Sequence, residues 1–190
     1  MNDIRDEFWK QVEPEHLKAR AFCRKLAGNR DDGDDLYQDC LIRALSRFEH
    51  VRDKASFNPW LYRIIINVFK NRVQSPWWKR MLFFSDGQIE PPARGNPSAA
   101  QAARHRLDFG FKAISPTDRA LIVLFELHGW SIAEIAAMTG RSEGAVKVRL
   151  SRARIKMRRA IEEHLRRTGQ TRHELVTKDE ICVAVRSAKD

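Results

Sequence analysis

Between Ser142 and Arg158 the chain sets Lys147, Arg149, Arg152, Arg154, Lys156 and Arg158 against a single acid, Glu143. Ammonium and guanidinium groups at that density hold polyanions, and their clustering along one helix is an electrostatic footprint of nucleic-acid binding. At about 100° per residue, Val148, Ser151 and Ile155 fall on one side, flanked by Lys147, Arg152, Arg158 and Arg159. The cations suit phosphate oxygens and guanine edges, while the apolar Val148 suits a thymine methyl. A merely solvated face would ordinarily mix the two signs of charge.

A second group with suitable chemistry lies upstream. Arg63, Asn67, Lys70 and Gln74 occupy about one sixth of a helical wheel otherwise built from Leu61, Ile64, Ile65, Ile66, Val68, Phe69 and Val73. Arg63 and Lys70 can hold phosphates, and Asn67, which both donates and accepts, can read a base edge. Trp60, with Phe57 just before the helix, offers aromatic faces on which an unstacked base can rest. That combination fits single-stranded or partly melted DNA better than intact duplex. The competing reading makes the stripe the solvent side of a three-helix core.

These side chains need scaffolds. Ser131 and Glu134 form the two halves of a capping box, and Ile132, Ile135 and Ala136 give the helix they open its apolar face. Gly140 supplies the break, because a left-handed backbone costs glycine little, and Ser142 caps the next helix. Val146, Leu150, Ala153, Met157 and Ile161 form the buried stripe of that second helix. Two helices about a tight turn, the second densely basic, have the layout of a helix-turn-helix that puts its second helix into a DNA groove.

Elsewhere the periodicity is helical too. His16, Leu17, Ala21, Phe22 and Leu26 mark a helix from Glu15 to Leu26, ended by Gly28 and Asn29. A second begins after the run from Asp31 to Asp35 and passes through Leu36, Cys40, Leu41, Ala44, Leu45 and Phe48. A third starts beyond Asn58 and Pro59 and continues to Gln74, where Ser75 and Pro76 stop it. Gly87, Pro91, Pro92, Gly95 and Pro97 mark residues 84–100 as a linker. Ser115 and Pro116 open a further helix that ends at His128 and Gly129, where a partial positive charge on the histidine is favourable. No stretch alternates as a strand would. The expected fold class is all-α: two small helical domains, residues 1–83 and 101–167, joined by a flexible linker, with a tail over 168–190.

The 190 residues carry 35 Lys and Arg against 25 Asp and Glu, a formal net charge of +10, and 43% are hydrophobic, enough for modest cores. A polyanionic partner follows, either nucleic acid or an anionic membrane surface. The first residues are acidic and polar and no apolar run approaches a spanning length, so membrane insertion is not expected and the location reads as cytoplasmic. Cys23, Cys40 and Cys182 lack the number and spacing of a disulfide framework or zinc site, and Cys23 and Cys40 read as small apolar core groups. The six histidines show no metal-ligand spacing, and there is no phosphate-binding glycine loop or nucleophile motif, so neither catalysis nor a cofactor is expected. The aspartate run lacks the ligand series of a calcium loop.

The segment from Asp34 to Phe48, then Pro59 to Asn71, then the helix-turn-helix, resembles the extracytoplasmic-function (ECF) sigma factors of bacterial RNA polymerase. The resemblance runs from about His16 to Arg167, and the three motifs stand in the family's order. It implies a first domain that recognises and helps melt the -10 promoter element and a second that reads the -35 element. It assigns the Asp35-to-Arg43 helix to docking on the polymerase clamp through Asp35, Gln38, Asp39 and Arg43. It places Asn67, with Phe57, Asn58 and Trp60, near a base pulled out of the stack, and Arg141, Lys147, Val148, Ser151 and Arg152 at the -35 groove.

The implied partners are bacterial core RNA polymerase, promoter DNA and an anti-sigma factor that clamps both domains. Family members commonly carry a basic or small residue where this chain has Val148, which bears on its -35 specificity. The aromatic stretch from Pro76 to Phe84 either extends the first core or presents a surface to the polymerase or an inhibitor. Residues Glu180 to Val185 read as a short helix or a strand packing back. A stand-alone helix-turn-helix regulator that binds duplex by itself is the alternative function.

Overall fold

The computed structural model describes residues 2–51, 56–75 and 99–168, and every regular element among them is helical. Linker residues 84–98, the Trp77 and Trp78 segment, Cys182 and the tail beyond Thr168 lie outside the described residues. The polar start holds a helix that its composition conceals: α1, Asn2–Val12, buries Phe8 and Val12 one turn apart. A 3-10 turn at Glu13–Glu15 leads into α2, His16–Ala27, which ends where Gly28 adopts a φ of 91°. The buried side of α2 is Ala19, Phe22, Cys23 and Leu26. Leu17 and Ala21, expected on that stripe, face solvent instead.

Helix α3, Arg30–Leu45, begins before the acidic run and takes it in, rather than starting after it. The Asn29 side chain accepts from the Asp32 amide at 2.8 Å, and Asp31 and Asp32 sit in the first turn, where the helix dipole favours negative charge. Gly33, which reads as a loop residue, lies within the helix because α3 crosses α2 there: a Cβ would stand 2.3 Å from the Arg24 Cα. The Asp34 carboxylate is gripped by Arg24 (Nε 2.7 Å, Nη2 2.8 Å) and Arg20 (Nε 2.9 Å, Nη2 2.7 Å). These two guanidiniums, Arg24 foremost, hold it far below the usual carboxylate range. The Asp34 charge thus fastens α2 to α3.

After a 3-10 turn at Phe48–His50, α4 spans Phe57–Gln74, with Pro59 in its first turn where the missing amide costs nothing. Phe8, Phe48 and Phe57 meet edge to face, with centroids 5.3, 6.2 and 6.0 Å apart. A helix the sequence reading did not anticipate, α5 (Ala99–Lys112), opens the second half. Its Gly110 allows close approach to the last long helix, since a Cβ there would lie 3.1 Å from Ile161 Cδ1. Then come α6 (Pro116–Leu127), α7 (Ile132–Thr139) and α8 (Glu143–Arg167), with the expected Ser115, Ser131 and Ser142 caps formed.

Helix α6 buries Ala120, Leu121, Ile122, Val123 and Leu124 in succession, more of its circumference than one neighbour could cover. It touches α2 and α4 as well as α7 and α8. One apolar cluster therefore runs from Phe8 to Met157 through both halves of the chain. Among the described residues no helix is long and apolar enough to cross a membrane.

Candidate nucleic-acid interface

The helix-turn-helix is fixed by local chemistry. The Ser131 hydroxyl accepts from the Glu134 amide at 3.2 Å while the Glu134 carboxylate accepts from the Ser131 amide at 2.7 Å, closing the capping box. The Ser131 hydroxyl, donating to the Glu134 carboxylate at 2.7 Å, and then the Ser131 amide hold that carboxyl below its ordinary range. Gly140 ends α7 at a φ of 65°, and the Ser142 hydroxyl accepts from the Ala145 amide to start α8. Ile135 and Ala136 are buried, Ile132 partly so, and the α8 stripe from Val146 to Ile161 is buried and continues to Leu165.

The cations on α8 and in the turn before it separate into two sets. Arg149 pairs through Nε with Asp118, and Arg154 pairs with Glu126 while lying over the Phe125 ring at 5.3 Å. Burial would raise the Asp118 carboxyl, but the Ser115 hydroxyl and the Arg149 guanidinium outweigh it and leave it below its usual value. These two arginines fasten α8 to α6. Arg141 and Arg152 make no ion pair among the described residues, and Lys147 reaches Glu143 only at 3.9 Å on an exposed surface, a contact of little strength. Arg141, Lys147, Val148, Ser151 and Arg152 are all exposed, and Val148 and Ile155 stand out among the exposed large apolar residues. Arg141, Val148, Arg152, Ile155 and Arg159 line a single open groove of about 720 Å³.

On α4, Asn58, Arg63, Asn67, Lys70 and Gln74 are exposed and Trp60 is partly buried. Phe57 is not available to a base. It is 2% exposed, closed in by Phe8 and Phe48, and carries Trp60 at 5.6 Å. Its apolar ring gains more from that core than from a surface, so it supports Trp60 instead of offering a face of its own. The Arg63 guanidinium donates from Nε to the Met138 carbonyl at 2.6 Å and from Nη2 to the same oxygen, which brings the stripe against the helix-turn-helix.

Helix α3 presents Asp35, Gln38, Asp39 and Arg43 on one exposed face. Arg72 on α4 lies 3.9 Å from Asp35 and 3.7 Å from Asp39. Ile42, 68% exposed, sits in the middle of this face. Cys23 and Cys40 are buried, and burial, reinforced by the neighbouring Cys40, pushes the Cys23 thiol well above its ordinary value, as suits a packing group and not a reactive one.

Sigma-70 region 2 matches residues 12–79, and Sigma-70, region 4 matches residues 111–157. An RNA polymerase sigma-E factor of Streptomyces avermitilis is 31% identical over 158 residues, covering 82% of this chain and 86% of that protein. The chain belongs to the ECF sigma factors. The ECF RNA polymerase sigma factor EcfG of Rhodopseudomonas palustris is 28% identical, covering 73% of this chain and 76% of its own. The solved structure of the sigma factor RpoE from Bartonella quintana, in complex with the anti-sigma factor NepR, aligns with a TM-score of 0.55 at 26% identity, covering 85% of this chain and 98% of that one. As an ECF sigma factor the protein directs promoter recognition by RNA polymerase and is not itself an enzyme.

Two features of this sigma factor escaped sequence reading. Ile42 was legible as an apolar residue one helical turn from Gln38 and Asp39, on the charged side of α3. His128 is the other. Although it caps α6, it is enclosed by Phe22 at 5.3 Å and Tyr62 at 6.3 Å. Burial, with Lys25 and Lys18 nearby, lowers it to about 4, so the ring is neutral at pH 7 and carries no positive charge for the helix end.

Proposed function

We propose that this sigma factor reads a -35 element with the outer face of α8 and a -10 element with the polar stripe of α4, aiding local melting at the second. The observation that carries this reading is the division among the cations of α8 and the turn before it. Arg149 and Arg154 are committed to Asp118 and Glu126, while Arg141, Lys147 and Arg152 surround Val148 and Ser151 on the open side. In the groove, Arg152 supplies a fork for a guanine edge, Ser151 a hydroxyl, Val148 a methyl contact, and Arg141 and Lys147 phosphate contacts.

On α4, Arg63 and Lys70 hold backbone phosphates while Asn58, Asn67 and Trp60 receive an unstacked base, Trp60 backed by Phe57. The exposed α3 face, with Asp35, Gln38, Asp39 and Arg43 around Ile42, docks on core polymerase. An apolar centre rimmed by charge supports that assignment. The likeness to RpoE bound to NepR supports an anti-sigma partner for this chain as well, and the family's work on polymerase supports a cytoplasmic location.

The test is transcription by purified bacterial core RNA polymerase on a pool of genomic promoter fragments, with and without the protein, sequencing the 5′ ends. New starts sharing two spaced upstream elements are expected. No new starts, together with tight binding of the free protein to duplex, would instead make it a stand-alone regulator.

A further inference from the structure

Gly144 is a glycine that the fold itself does not require. Gly28, Gly129 and Gly140 carry positive φ, and Gly33 and Gly110 lie where two helices press together, so five of the six described glycines have a reason inside the molecule. Gly144, the second residue of α8, has none: its φ is not positive, and a Cβ built on it would meet nothing within 4 Å. Within a helix glycine loses more conformational entropy than alanine, so a side chain here would fit with room to spare and steady the helix.

The space left empty at residue 144 faces outward. Gly144 is exposed and lines the same groove as Arg141, Val148 and Arg152. At about 100° per residue it lies about 40° around α8 from Val148 and about 20° from Ser151, with Lys147 to one side and Arg152 to the other. It therefore stands near the midline of the open face, about 6 Å along the axis from Val148. Cations at the rim can draw in phosphates, and at Gly144 no side chain holds the main chain away from what lies between them.

We propose that duplex DNA touches the main chain of α8 at Gly144, and that the missing side chain sets how deeply the helix seats in the major groove. The inference rests on the reading of α8 as the -35 reader and adds the residue that fixes its depth. A Cβ would stand about 1.5 Å out from the main chain, toward the DNA. Val148 and Ser151 have short side chains that cannot follow a helix lifted by that much, and a hydrogen bond lengthened so far is lost. The long arms of Arg141 and Lys147 keep their phosphates through the same displacement. Depth thus governs discrimination between sequences more than hold on any duplex.

The test uses the full chain and a duplex that it selects from a random-sequence pool, compared by fluorescence anisotropy with a scrambled duplex of the same composition. Gly144→Ala should lower affinity for the selected duplex about tenfold and for the scrambled duplex much less, while the melting temperature holds or rises. Gly144→Val should lose more. Pairing Gly144→Ala with Ala145→Gly returns a glycine to the helix one position along, off the midline, and should not restore binding. Unchanged affinity in Gly144→Ala, equal losses on both duplexes, or recovery in the paired variant overturns the proposal. Arg152→Ala in the same assay keeps the two readings apart. Loss of selectivity there without loss in Gly144→Ala removes the depth role and leaves α8 as the reader, whereas no loss in either removes both.

Discussion

Gly33 and Arg24 set the crossing of α2 and α3, since a side-chain carbon at residue 33 would stand 2.3 Å from the Arg24 Cα. The atom in the way is backbone, so no side-chain rotation relieves the clash. Gly33→Ala should lower unfolding free energy by about 1–3 kcal/mol despite alanine's better helix propensity. Chemical denaturation checks this. A variant as stable as the parent would mean the helices do not cross so closely.

Neighbouring arginines of α8 should behave oppositely. Arg152→Ala should weaken duplex binding at the -35 element by about 1–3 kcal/mol and leave the melting temperature unchanged. Arg149→Ala, which strips Asp118 of its partner, should lower the melting temperature first. Paired anisotropy and thermal-melt measurements separate the two, and a shared loss of DNA affinity with no change in stability would contradict the assignment.

If the exposed Asn67 amide receives an unpaired base, as proposed, Asn67→Ala should leave initial promoter binding by the polymerase complex largely intact and impair strand opening. Permanganate reactivity of thymines near the start site reports opening directly. Equal losses in binding and opening from Asn67→Ala and Arg152→Ala would contradict the division of labour between α4 and α8.

His128 predicts a pH dependence of stability. Its folded value of about 4 lies below the ordinary 6.5, so the unfolded chain binds the extra proton first. The stability it contributes is complete above pH 6.5 and is lost as pH falls toward 4, a change on the order of 3 kcal/mol. The groups around it are Lys25 and Lys18 from α2 and Tyr62 from α4, whose hydroxyl burial keeps protonated. The Asp34, Asp118, Glu134 and Glu163 carboxyls, all lowered, lose their contributions further into acid. Denaturation midpoints should therefore fall between pH 6.5 and 4.5 in the parent and much less in His128→Gln.

The sequence announced what local bonds decide. Ser115, Ser131 and Ser142 each cap the helix they precede, because a cap needs only a hydroxyl and an amide a few residues on. The buried stripe and open face of α8 followed from periodicity alone, as did the polar stripe of α4. Contacts between distant segments were illegible. Gly33 lay in the acidic run read as preceding a helix, and Gly110 carried no local signal, yet each marks where one helix presses on another. Phe57 read as a platform because the rings of Phe8 and Phe48 that enclose it come from elsewhere in the chain. His128 read as charged because nothing local shows that Phe22 and Tyr62 cover it.

The oxygen that receives Arg63 belongs to the main chain, and every residue type carries one. No codon change at Met138 that leaves the turn intact can remove it. Of the two ends of this bond, only Arg63 answers directly to side-chain substitution. The main-chain end is set by the turn at Gly140 and not by residue type.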